Sequence, residues 1–223
     1  MFVGHYGPSF AAKALKQSIP LWILFIAVQW VDVMWSVFVL LGIEKVRIVP
    51  GFTATNPLDL YYMPYTHSFL AAILWSLGAA VAYRAVPKLG SWVTAGIVGA
   101  AVFSHWVLDL LVHRPDLPLY DDTLKVGLGL WNYPVLAFAL EAALLFGGMY
   151  LYVRNTRSVA RGGRYGMWIF GIAMLGVQSI VFFGPPPPSD KAAAIMALVA
   201  YGVFRVSPIG LSASARRGRQ DAP

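Results

Sequence analysis

The chain has 223 residues, of which 58% are hydrophobic and 12% charged, with a formal net charge of +7 and a mean hydropathy of +0.64. Soluble domains carry about 25% charged residues, so this chain has too little polar surface to cover a globule in water, and a membrane class follows. It has no cysteine, which excludes disulfides and thiolate metal sites. In such a chain the basic excess reports membrane topology rather than nucleic-acid binding.

Taken in order, the N-terminus Met1-Phe2-Val3-Gly4-His5 lacks a basic region, and no small-residue cleavage site follows a short apolar run, so no cleavable signal peptide is expected. Phe10–Gln17 has the composition of a helix. Ser18-Ile19-Pro20 reads as a turn, with Pro near the first position of the next helix, where its missing N–H costs nothing. The resulting helical hairpin would bring His5 and Asp32 to similar depth, each about 18–20 Å from the turn at 1.5 Å per residue. Apolar segments long enough to span follow at Leu21–Gly42, Thr66–Val86, Trp92–Val112, Trp131–Val153 and Tyr165–Phe183, with a shorter one at Ala192–Phe204. Lipid offers backbone amides no partners, so these segments should be helical. The expected fold is an all-α, polytopic membrane bundle of about six transmembrane helices preceded by a short N-terminal helix. It forms a single domain over 1–206, with a disordered basic tail over 207–223.

The basic residues orient the bundle. With the N-terminus in the cytoplasm, the outer side holds only Lys45, Arg47, Arg114, Lys125 and Lys191 of the 17 Lys and Arg residues. The positive-inside rule is then obeyed. Both termini lie in the cytoplasm, in a bacterial inner membrane. The tetraproline Pro185–Pro188 reads as a stiff outer turn.

Three acids fall inside spans: Asp32, Asp109 and Glu141. A carboxylate near the bilayer centre costs several kcal/mol, roughly 2.5–3.5 on insertion scales, and needs a partner. Histidines are the candidates. His105 and Asp109 are four apart on one span, and His113 is four further on, giving one polar stripe on an apolar helix. An HxxxD step lets both side chains reach one metal ion. His67 begins the second span and His5 reaches the depth of Asp32, so all four histidines can lie in the outer half of the membrane. Imidazole and carboxylate ligands suit zinc, and also manganese or iron. The candidate ligands His5, Asp32, His67, His105, Asp109 and His113 are numerous enough for one or two divalent ions. Glu141 reads as a ligand, a general base or the partner of an arginine. Gln29 and Gln178 read as interhelical hydrogen bonders, and Trp30, Trp106 and Trp131 as packing residues. Arg114 reads as an interface anchor or as the group that orients an anion.

The series His5, Asp32, Thr66-His67-Ser68 and Ser104-His105-xxx-Asp109 resembles the bacterial membrane-bound metal-dependent hydrolase family. Its ligand order is similar to that of the zinc-dependent phospholipases C. The resemblance covers residues 1 to about 115. It implies that Asp32, His67, His105 and Asp109 bind one zinc, that His5 joins Asp109 at a second, and that Asp109 bridges the two. Where the family continues its acid motif as Asp-x-Asp-His, this chain reads Asp32-Val33-Met34. The resemblance implies hydrolysis by metal-activated water and does not extend to His113 or Glu141. A site opening to the outer leaflet favours a lipid-like ester or phosphoester as substrate and membrane lipid as partner, and the residues themselves offer Asp109 and Glu141 as the catalytic carboxylates. The alternatives are a proton-coupled transporter built on the same intramembrane acids, a haem protein with axial histidines, and a metal-binding membrane protein without turnover.

Overall fold

The computed structural model describes residues 1–87, 90–156 and 161–213. It is a helical bundle. A 3-10 turn, Val3–His5, leads directly into α1, Tyr6–Leu15. Pro8 falls in the first turn of α1, where an N–H would have no intrahelical acceptor, so the helix runs through Gly7-Pro8 from Tyr6. Lys13 closes the turn after α1, its Nζ donating to the carbonyls of Gln17 (2.5 Å) and Ile19 (2.8 Å). Helix α2, Leu21–Leu40, then returns antiparallel, completing the expected hairpin.

Two short antiparallel strands follow, β1 (Lys45–Ile48) and β2 (Leu58–Tyr62), with Arg47 opposite Asp59. Arg47 Nη2 reaches Asp59 Oδ2 at 2.6 Å. Its guanidinium is exposed, so the pair contributes only about 0–1 kcal/mol. This hairpin is absent from the sequence reading. It caps the bundle end from which His67 enters.

Helix α3, Phe69–Ala85, starts at Ser68, whose side chain accepts from Ala71 N. Helix α4, Trp92–Val112, starts with a reciprocal capping box between Ser91 and Thr94. Helix α5, Pro134–Asn155, has Pro at its first position. Helices α6 (Arg161–Phe183) and α7 (Asp190–Ala213) are joined through the proline run. Helix α7 extends past Phe204 into the segment expected to be tail. Residues 214–223 of that tail lie outside the described residues, as do Lys88 and Arg157 of the topology count.

Four helices are long and apolar enough to cross a membrane among the described residues: Leu21–Leu40, Trp92–Val112, Pro134–Asn155 and Tyr165–Phe183. Helix α3 is apolar but has 17 residues. The surface agrees with a lipid environment. Leu74, Leu77, Val81, Ile169, Ile172 and Val199 face outward, while His5, Gln29, His105, Asp109, Glu141 and Gln178 are buried. Such a distribution is inverted relative to a water-soluble domain.

Helix α2 packs against α1, α4 and α7; α3 packs on α4; and α1 lies along α5. The α1–α5 approach is backbone to backbone. A Cβ at Gly148 would overlap the Gly7 carbonyl oxygen, so only glycine fits there, in the manner of small-residue contacts between membrane helices. The apolar interior forms two clusters. One contains Phe10, Phe25, Val28, Ala101 and Val102; the other contains Trp35, Met63, Val112 and Trp131. Helix α4 contributes Val102 to the first and Val112 to the second. Between those two positions lie His105 and Asp109.

Candidate metal centre

The polar stripe of α4 meets the other acids and histidines at the seam between the two clusters. His105 Nε2 lies 3.1 Å from Asp109 Oδ2, one helical turn away on the same face. Asp32 reaches in from α2, its Oδ1 3.4 Å from His105 Nε2 and 3.3 Å from His67 Nε2. His67 Nε2 is also 3.7 Å from Asp109 Oδ2. His5, at the end of the 3-10 turn, places Nε2 3.2 Å from Asp109 Oδ1. Its ring stacks on His105 with centroids 3.8 Å apart and planes 8° from parallel. The α1–α2 hairpin thus delivers His5 and Asp32 to the immediate surroundings of His105.

Two trios have ligand atoms within 4.8 Å of one another: His5 with His105 and Asp109, and Asp32 with His67 and His105. His105 is common to both. These buried groups can hold a metal ion. The hydrogen bonding around them supports that fit. His105 Nδ1 is 2.7 Å from the Val28 carbonyl oxygen. A carbonyl only accepts, so Nδ1 carries the proton, and neutral His105 presents a bare lone pair at Nε2. That lone pair faces carboxylate oxygens, which are themselves acceptors. Accordingly His105 Nε2, and both ring nitrogens of His5, are buried without a hydrogen-bond partner. The Met1 ammonium places one positive charge on Asp109 Oδ1. The oxygens that His105 Nε2 faces, Asp109 Oδ2 and Asp32 Oδ1, are met by a further positive charge, either a proton on that nitrogen or a metal ion.

His67 is prepared in the same way through two residues. Thr66 Oγ1 donates to Glu44 Oε2 (2.6 Å), whose Oε1 accepts from the backbone N–H groups of Tyr65 (2.8 Å) and Thr66 (2.9 Å). With its only proton given to Glu44, Thr66 Oγ1 must accept from His67 Nδ1, 2.8 Å away. His67 therefore turns Nε2, the ring nitrogen outside this chain of bonds, inward toward Asp32 and Asp109. Burial pushes the Glu44 carboxyl above its ordinary value, and the hydrogen bonds from Thr66 and Tyr65 pull against that rise. Trp106 Nε1 fixes the backbone by donating to the His67 carbonyl (2.9 Å). Partners of this kind set the tautomer and orientation of metal-binding histidines.

His113 repeats the pattern. Its Nδ1 lies 2.8 Å from Asp116 Oδ1, and its Nε2 lies 3.7 Å from Asp109 Oδ2. It stands beside the two trios rather than within them. Asp32 has a partner that the sequence reading missed: Tyr201, on α7, donates its hydroxyl to Oδ2 at 2.8 Å. Only Oδ1 of Asp32 then faces the histidines. The Met1 amino nitrogen is 2.5 Å from Asp109 Oδ1, leaving Oδ2 toward His105, His67 and His113.

Glu141 has a different set of partners. Its Oε2 accepts from the backbone N–H groups of Phe2 and Gly4, both at 3.0 Å, and its Oε1 from Gln178 Nε2 at 3.0 Å. It ties the N-terminal segment to α5 and α6, and stands outside both trios. Gln29 Nε2 donates to the Phe2 carbonyl (3.2 Å), so both glutamines bridge elements as expected. Trp131 packs on His113, with ring centroids 4.3 Å apart. Arg114 places its guanidinium over the Phe52 ring, 4.4 Å from the centroid.

A cavity of about 610 Å³ reaches the cluster; Asp32, His67, Asp109, His113 and Tyr201 are among its lining residues. Its size is within the roughly 300–1,000 Å³ of small-molecule sites. No family model, no curated protein and no solved structure matches the chain.

Proposed function

We propose that this chain is a membrane-embedded metal-dependent hydrolase acting on a lipid-like ester or phosphoester, related to the bacterial membrane-bound metal-dependent hydrolases that its His5, Asp32, Thr66-His67-Ser68 and His105-xxx-Asp109 series resembles. The observation that carries this reading is the convergence of buried histidine Nε2 atoms on shared carboxylates, with His105 Nε2 left without a hydrogen-bond partner. In this account zinc is the resident ion, one or two per chain, held by Asp32, His67, His105, Asp109 and His5. Bound zinc supplies Lewis acidity and lowers the pKa of a coordinated water to about 7.

The chain's own residues do the rest. Val28, Thr66 and Asp116 lock the ring orientation of His105, His67 and His113. His113 lines the cavity with its Nε2 3.7 Å from Asp109 Oδ2. The second apolar cluster, with Trp35 and Trp131, keeps bulk water from the buried side. Six spans, with both termini in the cytoplasm of a bacterial inner membrane, put this end of the bundle in the outer half of the bilayer.

The reading is tested by incubating zinc-loaded chain, in nanodiscs of mixed bacterial lipid, and quantifying lipid products by mass spectrometry. Product release that stops with a chelator and with Asp109→Ala is expected. Release that is identical for wild type, chelated protein and Asp109→Ala would remove hydrolysis from consideration.

A further inference from the structure

The cavity is not confined to the polar cluster. From Asp32 and Asp109 it runs to the facing halves of α6 and α7, where Val177, Ile180 and Val181 form one wall, and Ala193, Ala197 and Ala200 lie on the other. The α7 positions 193, 197 and 200 fall at helical spacing on one face. Between Ala193 and Tyr201 that wall is about 12 Å long at 1.5 Å per residue. The large apolar lining residues Ile180, Val181 and Met196 are also outward-facing, at 69%, 52% and 60% exposure. All three lie on the two helices at the proline-run end. The cavity therefore has an opening between α6 and α7 onto a surface of apolar side chains, while residues of the β1–β2 loop, Gly51 and Asn56 among them, also line it. Among the described residues no lysine or arginine lines the cavity, and the Met1 ammonium at its polar end is already paired with Asp109, so a small soluble anion finds no unpaired cationic group of the chain there. An alkyl chain requires none.

We propose that the α6–α7 arm of the cavity is the alkyl-chain site of a membrane-resident amphiphile, which enters sideways from the bilayer with its polar head toward Asp32 and Asp109. This deepens the hydrolase reading, and rests on it for what happens to the head; the chain site itself rests on the shape and lining of the cavity. The small side chains of Ala193, Ala197 and Ala200 leave the room the chain takes. Tyr201 marks the change from apolar to polar wall, since its ring lies against Phe2 while its hydroxyl binds Asp32.

The test uses the full chain in nanodiscs containing a phosphatidylcholine with a mid-chain diazirine. Adducts after photolysis are mapped by peptide mass spectrometry, and zinc content is measured in the same samples. Adducts at 177–184 and 193–201 are expected in the wild type. They are lost in Ala197→Trp, or in Ala200→Phe if the first variant does not fold, while zinc content and adducts on the outward α3 face around Leu74 and Leu77 persist. Adducts confined to outward faces in the wild type, or unchanged by filling the cavity, overturn the chain site. Adducts that follow the expected pattern in a chain without zinc leave the chain site standing and remove the metal reading instead.

Discussion

Replacing His105 by Asn isolates the one nitrogen on which both trios depend. The Asn side-chain amide can take the place of Nδ1–H and keep the bond to the Val28 carbonyl, now 2.7 Å long. It cannot reach the Nε2 position, which sits 3.1 Å from Asp109 Oδ2 and 3.4 Å from Asp32 Oδ1. Without metal the variant loses mainly the stacking against His5, a contact of about 0.5–1.5 kcal/mol. With metal the difference is larger. An ion present at 100 times its dissociation constant stabilises the folded state by about 2.7 kcal/mol. At about 2–4 °C per kcal/mol for a chain of this size, wild type should melt about 5–11 °C higher with zinc than with a chelator. The variant has no complete trio, and its melting temperature should not respond to zinc. Tryptophan fluorescence during heating in detergent micelles reads both. A His105→Asn protein that keeps the zinc-dependent shift would refute the shared-vertex geometry.

Glu44→Gln weakens the acceptor that fixes Thr66 and so His67; zinc affinity, measured by chelator competition, should fall about 10–100-fold, as for other outer-shell partners, with the fold retained. Tyr201→Phe frees Asp32 Oδ2 and should lower zinc affinity by a similar factor of about 10–100, which would show that α7 is part of the centre. Glu141→Gln should keep its zinc, but weakens the bonds from Phe2 and Gly4 by about 1–3 kcal/mol, read as a lower melting temperature in the metal-free protein. Gly148→Ala drives a methyl group into the Gly7 carbonyl, and should destabilise the bundle by about 1–3 kcal/mol, as overpacking does, with α1 displaced from α5.

Much of the frame was legible because local signals and hydrophobic period agreed. Helix α4 spans Trp92–Val112, the boundaries expected from the apolar run, and its His105-Asp109-His113 stripe stood out because polar side chains four apart on an apolar helix share a face. The α1–α2 hairpin was visible in Ser18-Ile19-Pro20, and with it the joint approach of His5 and Asp32 to His105. The β-hairpin was not visible. Its strands are short, and Leu58–Tyr62 reads as an apolar fragment between spans. The partners that prepare the histidines were also hidden, since each depends on tertiary contact. Glu44 is 22 residues from Thr66 in sequence, and Tyr201 is 169 from Asp32. Asp116 is only three residues from His113, but that spacing outside the helix does not by itself mark it as the ring's partner. Glu141 stood out as a buried acid, but nothing in the chain order signals that the amides of Phe2 and Gly4, 139 and 137 residues away, converge on it. The expectation of about six spans compares with four helices that meet the length and apolarity of a span among the described residues.

The central claim is that buried acids and imidazoles are held together around a cation. It is tested most directly by elemental mass spectrometry of the chain purified in detergent without added metal. The account predicts one or two equivalents of zinc per chain, reduced in His105→Asn. Wild-type protein that is folded and binds no divalent metal, even after zinc is supplied, would contradict it.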